Sequence, residues 1–247
     1  MAERVRLEIC VDSVESSLAA EAGGADRIEL CSALFEGGLT PSAGLLKVVR
    51  ERVKIPIAAM IRPRGGDFCV SADEFATMEH DLHVAKELGA DVIVFGLLNP
   101  DGTIDRERTA KLAQLARPLP VTFHRAFDMA RDPWEAFRTL LDLGIERLLT
   151  SGQEKTPLEG IDLIAELVER AGDKMIVMPG GGVTERNLQK ILTRSRAKEI
   201  HSSAGGLRDS RMTFRNPHVF MGGQLGPPEY ALKIASEERV RALRSLA

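Results

Sequence analysis

The feature that most constrains this chain is its rhythm. Short apolar runs alternate with segments of helical character along most of its length. The apolar runs lie near residues 6–11, 27–31, 56–61, 91–96, 120–124, 147–150, 175–179 and 199–202. Each has the length of a buried strand bounded by turn-forming residues. Between them the sequence carries helix punctuation. Ser13 with Glu15 and Ser16 opens one segment, and Gly23-Gly24 closes it. Ser71-Ala72-Asp73-Glu74 is a capping box, in which serine and glutamate side chains each satisfy a free backbone N–H of the other. It opens a helix toward Gly89. Asp132-Pro133 starts a third that ends at Gly144, with proline in the first turn and glycine after the last. Thr156-Pro157 to Gly172 and Thr184 to Ser195 complete the series. Eight strands alternating with helices over 247 residues match an α/β fold of the (β/α)8 TIM-barrel type, which typically takes ~250 residues. An open doubly wound sheet is the alternative. No G-x-G-x-x-G follows the first strand, which weakens its dinucleotide-binding form. Neither a linker nor a composition shift divides the chain, so residues 1–247 are expected to be one barrel domain.

The rhythm breaks near the end. From Gly205 to Pro228 there is no period, and Gly, Pro, Arg and Ser are frequent. Irregular stretches of this length are uncommon in compact domains and often serve as lids or binding loops. An extended arm over 205–228 is expected, folded over a site or against a neighbouring subunit. A final helix from about Pro228 to Leu246 follows.

Composition narrows the function classes. With 44% hydrophobic residues the chain can bury a sizeable core. A net charge of −3 gives no electrostatic basis for binding nucleic acid or an anionic membrane. No apolar run approaches the ~20 residues that span a bilayer, and the start at Met1–Arg6 lacks the apolar core of a signal peptide. The three cysteines, Cys10, Cys31 and Cys69, are an odd count in a large chain. Reduced thiols in the cytoplasm fit better than a secreted disulfide framework.

Strand alternation then orients the side chains. In a barrel of this kind the outer strand face packs on helices, and active sites gather at the C-terminal mouth. Leu7, Ile9 and Val11 belong outside, which turns Glu8, Cys10 and Asp12 inward. Ile28 and Leu30 turn Glu29 and Cys31 inward. Ile57, Ala59 and Ile61 leave Met60 and Arg62 inside. Val121 and Phe123 do the same for Thr122 and His124, and Ile200 for His201 and Ser203. Glu8, Glu29, Arg62, His124 and His201 therefore converge, with Cys10 and Cys31 beside them. Two acids, a guanidinium and two imidazoles suit proton transfer or anion binding. The acids and Arg62 equally suit a structural ion network, while histidines at strand ends favour function. Arg62-Pro63-Arg64-Gly65-Gly66 brings two guanidiniums to one loop, apt for phosphate or carboxylate. Gly180, Gly181 and Gly182 follow strand seven, and Ser202 and Ser203 follow strand eight. Those loops often bind phosphate in such barrels, where glycine lets backbone N–H groups approach an anion.

Leu7-Glu8-Ile9-Cys10 is echoed by Ile28-Glu29-Leu30-Cys31. Neighbouring strands lie ~4.8 Å apart, so the two thiols can approach each other. Paired thiolates suit Cu(I), and thiolate–imidazole sets suit zinc. No C-x-x-C is present, however, and a buried free cysteine more commonly packs as a small hydrophobe.

Longer blocks add a resemblance. Leu7–Ser13, Gly23–Cys31, Glu36–Ser42, Met60–Phe68, Val121–Asp128 and Leu149–Gly152 are similar to the CutC family of copper homeostasis proteins. The similarity runs from Leu7 to about Tyr230. Cys10–Ser16 and Val177–Gly182 most resemble its eukaryotic-type members. The resemblance implies a TIM barrel, a cytoplasmic setting, homo-oligomers and copper handling, with Cys10 and Cys31 as Cu(I) ligands. Against that stands an enzyme acting on a phosphorylated or carboxylated metabolite. Glu8 or Glu29 would serve as base, His124 or His201 as acid, and Arg62, Arg64 and the Gly180–Gly182 loop would hold the anion. No lysine stands at a clear strand end, which disfavours Schiff-base chemistry. A scaffold using the 205–228 arm is a third reading.

Overall fold

The computed structural model describes residues 4–216, 218–219 and 231–247. Eight parallel strands form the frame: β1 (Arg6–Val11), β2 (Arg27–Leu30), β3 (Ile57–Met60), β4 (Val92–Phe95), β5 (Val121–Phe123), β6 (Arg147–Thr150), β7 (Ile176–Pro179) and β8 (Glu199–Ser202). They pair in the order β7-β6-β5-β4-β3-β2-β1-β8, and β7 lies against β8, so the ring is nearly closed. This is a (β/α)8 barrel; the ring leaves no place for the topological reversal of a doubly wound sheet.

Helices α1 (Val14–Ala22), α2 (Ala43–Arg52), α3 (Ala72–Glu87), α4 (Arg106–Ala116), α5 (Pro133–Asp142), α6 (Ile161–Ala171) and α7 (Leu188–Ser195) fill the crossovers. Their starts follow the sequence signals. Ser13 accepts a hydrogen bond from the Ser16 N–H, and Ser71 and Glu74 complete the capping box. Asp132 caps two N–H groups of α5. Two starts fall later than the spacing predicts. Residues 156–160 form a turn before α6, in which Thr156 and Glu159 already bond each other's N–H groups. Thr184 and Asn187 close a similar turn before α7.

The outer strand face carries Leu7, Ile9, Ile28, Leu30, Ile93, Phe95 and Phe123, all fully buried against the helices. Burying each such side chain is worth ~1.5–3 kcal/mol. The inner face is a smaller apolar layer of Cys31, Ala58, Met60, Val92 and Val94, and polar groups occupy the rest of the interior.

After β8 the expectation of an irregular arm is corrected over its first five residues. Gly205–Asp209 forms β9, which pairs antiparallel with β10 (Ala231–Ala235). This ribbon packs on its own chain, against α1 and β1, and the Ala235 N–H donates to Ser16 Oγ at 3.1 Å. Residues 217 and 220–228 of the expected arm lie outside the described residues. The final helix, α8 (Glu237–Leu246), starts later than Pro228 because the preceding segment is spent on β10. It docks on α1 and α7. A side chain at Gly23 would meet Val240 at 2.5 Å, so only glycine permits that close approach.

Candidate metal and ligand site

Register brings the first two strands together as the doubled motif requires. Cys10 pairs with Glu29 across β1 and β2, and Glu8 pairs with Arg27 on one side and His201 on the other. The interior therefore has two levels.

The lower level is an ion network. Arg27 bridges Glu8 and Glu199, reaching the latter at 2.6 Å. Arg147 holds Glu199 from the other side through contacts of 2.7 and 3.2 Å and also reaches Thr122. Burial opposes ionisation of Glu8, but Arg27 and then His201 overcome it and hold its carboxyl well below the usual range. Glu199 is likewise depressed; burial opposes this, and the Arg147 hydrogen bond and Arg27 charge outweigh it. His201 Nδ1 lies 2.8 Å from Glu8 Oε1 and Nε2 lies 3.9 Å from Glu29 Oε2. Burial disfavours its charge, yet Glu29, Cys10 and Glu8 raise its pKa well above the ordinary value.

The upper level carries the thiols. Cys10 Sγ and Cys31 Sγ are 3.8 Å apart, and Cys31 donates to Glu29 Oε2 at 3.6 Å. Both sulfurs and a Glu29 oxygen fall within 4.8 Å of one another, as do ligand atoms of Glu8, Glu29 and His201. The fit to a metal follows from bond lengths. Two sulfur–metal bonds of ~2.3 Å at a near-tetrahedral angle span about 3.8 Å. Two soft sulfurs beside a carboxylate are a donor set for Cu(I) or zinc. Neither thiol is ionised on its own. The Cys31 hydrogen bond and burial push Cys10 up. For Cys31 the Cys10 hydrogen bond favours the thiolate, but burial and Glu29 raise it to about 11. Cys31 is fully buried beneath Gly38, whose added Cβ would stand 3.0 Å from its sulfur. Cys10 opens to the mouth.

Above both levels lies a cavity of about 440 Å³. Cys10, Glu29, Arg62, His124, His201, Gly181, Gly182, Ser202 and Ser203 all line it. Cys31 and Glu8 sit beneath. Gly180 is set back, packed on Leu149 and His201. Arg64 is not brought into the site. It turns outward to Glu74 and Asp67, at 2.6 and 2.9 Å. Arg62 faces the cavity but spends three hydrogen bonds on the carbonyls of Glu36, Gly38 and Gly66. His124 accepts the Ala126 N–H on Nδ1, and burial followed by the Arg62 charge lowers its pKa to about 3.

Arg27, Arg147 and Glu199 escaped the sequence reading, although alternation carried two residues back from Glu29 and His201 finds Arg27 and Glu199. Lys233, also in the cavity wall, arrives on β10.

Comparison with known proteins fits this geometry. The profile of the CutC family matches residues 5–206. The chain belongs to the CutC family. A human protein named copper homeostasis protein cutC homolog is 56% identical over 98% of this chain and 88% of its own length. A solved CutC structure from Streptococcus agalactiae superposes with a TM-score of 0.77 at 34% identity, covering 81% of this chain and 98% of that one. Phosphoribosylanthranilate isomerase of Thermotoga maritima, at 13% identity and a TM-score of 0.59 over 98% of both chains, shares the fold alone. Among the described residues of this CutC-family chain, no helix is long and apolar enough to cross a membrane.

Proposed function

We propose that this CutC-family chain binds Cu(I) between the sulfurs of Cys10 and Cys31. The carrying observation is their 3.8 Å separation across adjacent strands, with a Glu29 oxygen close to both. A soft monovalent ion between two thiolates takes up the charge that buried thiolates beside a carboxylate could not bear alone. Because both thiols hold their protons without metal, binding expels them, and affinity rises with pH. The copper homeostasis name of the human relative supports the same ion. A cytoplasmic setting, where thiols stay reduced, goes with this chemistry. Self-association goes with it too. Phe35, Leu207, Met212 and Phe214 remain largely exposed, and large apolar side chains of this kind commonly mark contact surfaces.

Titration against a Cu(I) chelator is the test. One Cu(I) per chain with ultraviolet thiolate-to-metal absorption is expected. Cys10→Ser and Cys31→Ser should each weaken binding more than 100-fold while the fold is kept. Unchanged affinity in both variants removes the proposal.

A further inference from the structure

A metal between the thiols leaves a second set of groups unexplained. Glu29, Arg62 and His124 are 2%, 7% and 4% exposed. Each nevertheless keeps one buried atom without a hydrogen-bond partner among the described residues: Glu29 Oε1, Arg62 Nε and His124 Nε2. A buried polar atom left unpaired is costly, so three of them in one cavity call for a partner. The three stand on or just beyond three different strands, β2, β3 and β5, and line one cavity. Among the described residues only Thr109 Oγ1 and Arg208 Nε share this state, and neither lines the cavity.

The character of each atom is fixed by its surroundings. Arg62 has its terminal nitrogens engaged by three carbonyls, which holds the guanidinium in place and leaves Nε–H as a directed donor. His124 accepts a backbone N–H on Nδ1 at 3.1 Å, so the ring proton resides on Nε2, a second donor. Both pack on Phe68: its ring is 4.9 Å from Arg62 Cζ, and its centroid is 5.0 Å from that of His124. Gly96 leaves the space the imidazole occupies, since an added Cβ would lie 2.4 Å from Nδ1. Glu29 Oε1 is an acceptor. A copper ion accepts no hydrogen bond and does not fill about 440 Å³. One charged and one neutral donor match a monoanionic oxygen pair, and the carboxylate oxygen matches a hydroxyl.

We propose that the mouth of the barrel binds a small hydroxycarboxylate. Its carboxylate accepts from Arg62 Nε–H and His124 Nε2–H, and its hydroxyl donates to Glu29 Oε1. The site shares only Glu29 with the thiol pair, through the oxygen that Cys31 does not reach, and it stands whether or not copper binds.

Calorimetry and thermal unfolding of the full chain test it, with glycolate and D-glycerate as probes, acetate lacking the hydroxyl and glycerol lacking the charge. Glycolate and glycerate should bind at one site and raise the melting temperature. Acetate should be at least tenfold weaker, and glycerol should give no shift. His124→Asn keeps an acceptor where Nδ1 stands and removes the Nε2–H. It should weaken glycolate at least tenfold with Cu(I) affinity unchanged, while Cys10→Ser should leave glycolate binding intact. In the wild-type chain, the Nε2–H resonance of His124 should shift on adding glycolate, a readout that needs no variant. The proposal fails if neither hydroxy acid binds at tens of millimolar, if acetate binds as well as glycolate, or if that resonance stays still.

Discussion

The floor and the mouth of this barrel are built from the same kinds of residue and solve opposite problems. On the floor, Glu8, Arg27, Arg147 and Glu199 are buried, and every charge meets its opposite. At the mouth, Glu29, Arg62 and His124 are buried as deeply but hold atoms with no partner among the described residues. A protein that can saturate four buried charges a few ångströms below is not short of means to saturate three more. On the proposed reading of the mouth, burial and charge do not separate structure from function; completeness of pairing does. His201 joins the levels, tied to Glu8 below and facing Glu29 above.

Stability should break or sharpen this contrast most strongly. Arg27→Met leaves buried Glu8 with only His201 and Glu199 with only Arg147, and should cost about 3–5 kcal/mol. Glu29→Gln removes a charge whose outer oxygen is unpaired and should cost no more than about 1 kcal/mol. Urea unfolding of both variants measures the gap, and equal losses would erase the distinction.

The response to acid comes next. His124 has a folded pKa of about 3, below its ordinary 6.5. The folded chain therefore binds fewer protons at this ring than the unfolded chain. The sign is that stability is present above pH 6.5 and is lost as pH falls from about 6.5 toward 3. The slope attributable to one proton is at most ~1.4 kcal/mol per pH unit. Glu8 and Glu199, also depressed, fall away in the same direction at lower pH. The difference between wild type and His124→Asn isolates the ring, and the variant should show the shallower decline.

The smallest effect lies away from both levels. Ser71→Ala removes the capping box of α3 and should cost about 1 kcal/mol in thermal unfolding. Cu(I) and glycolate binding should stay as they were.

Much of this was legible because strand alternation is rigid. Leu7 and Ile9 outside force Glu8 and Cys10 inside, and no packing detail can reverse that. The same rule would have given Arg27 and Glu199 had it been carried down each strand rather than stopped at the mouth. It failed at Arg64. Arg62 and Arg64 share a period, but Arg64 lies four residues past the end of β3, where backbone turns set direction and Glu74 claims the side chain. The ribbon was hidden for another reason. Gly205 and Gly206 have little strand propensity, and their partners lie more than 25 residues later, so the pairing is a tertiary fact. Which mouth atoms lack partners was not readable at all, since that depends on where loop carbonyls such as Gly38 and Gly66 come to rest.

If Cu(I) binds as proposed, the asymmetry of the two sulfurs sets an order of events. Cys31 is sealed under Gly38, whereas Cys10 faces the open cavity. An ion shared by them can be approached from one side only. An incoming thiolate would displace Cys10 while Cys31 still holds on, and delivery would run the same steps backward. Traffic through such a site would be sequential, one bond exchanged at a time, with its pace set by the exposed sulfur and its retention by the hidden one.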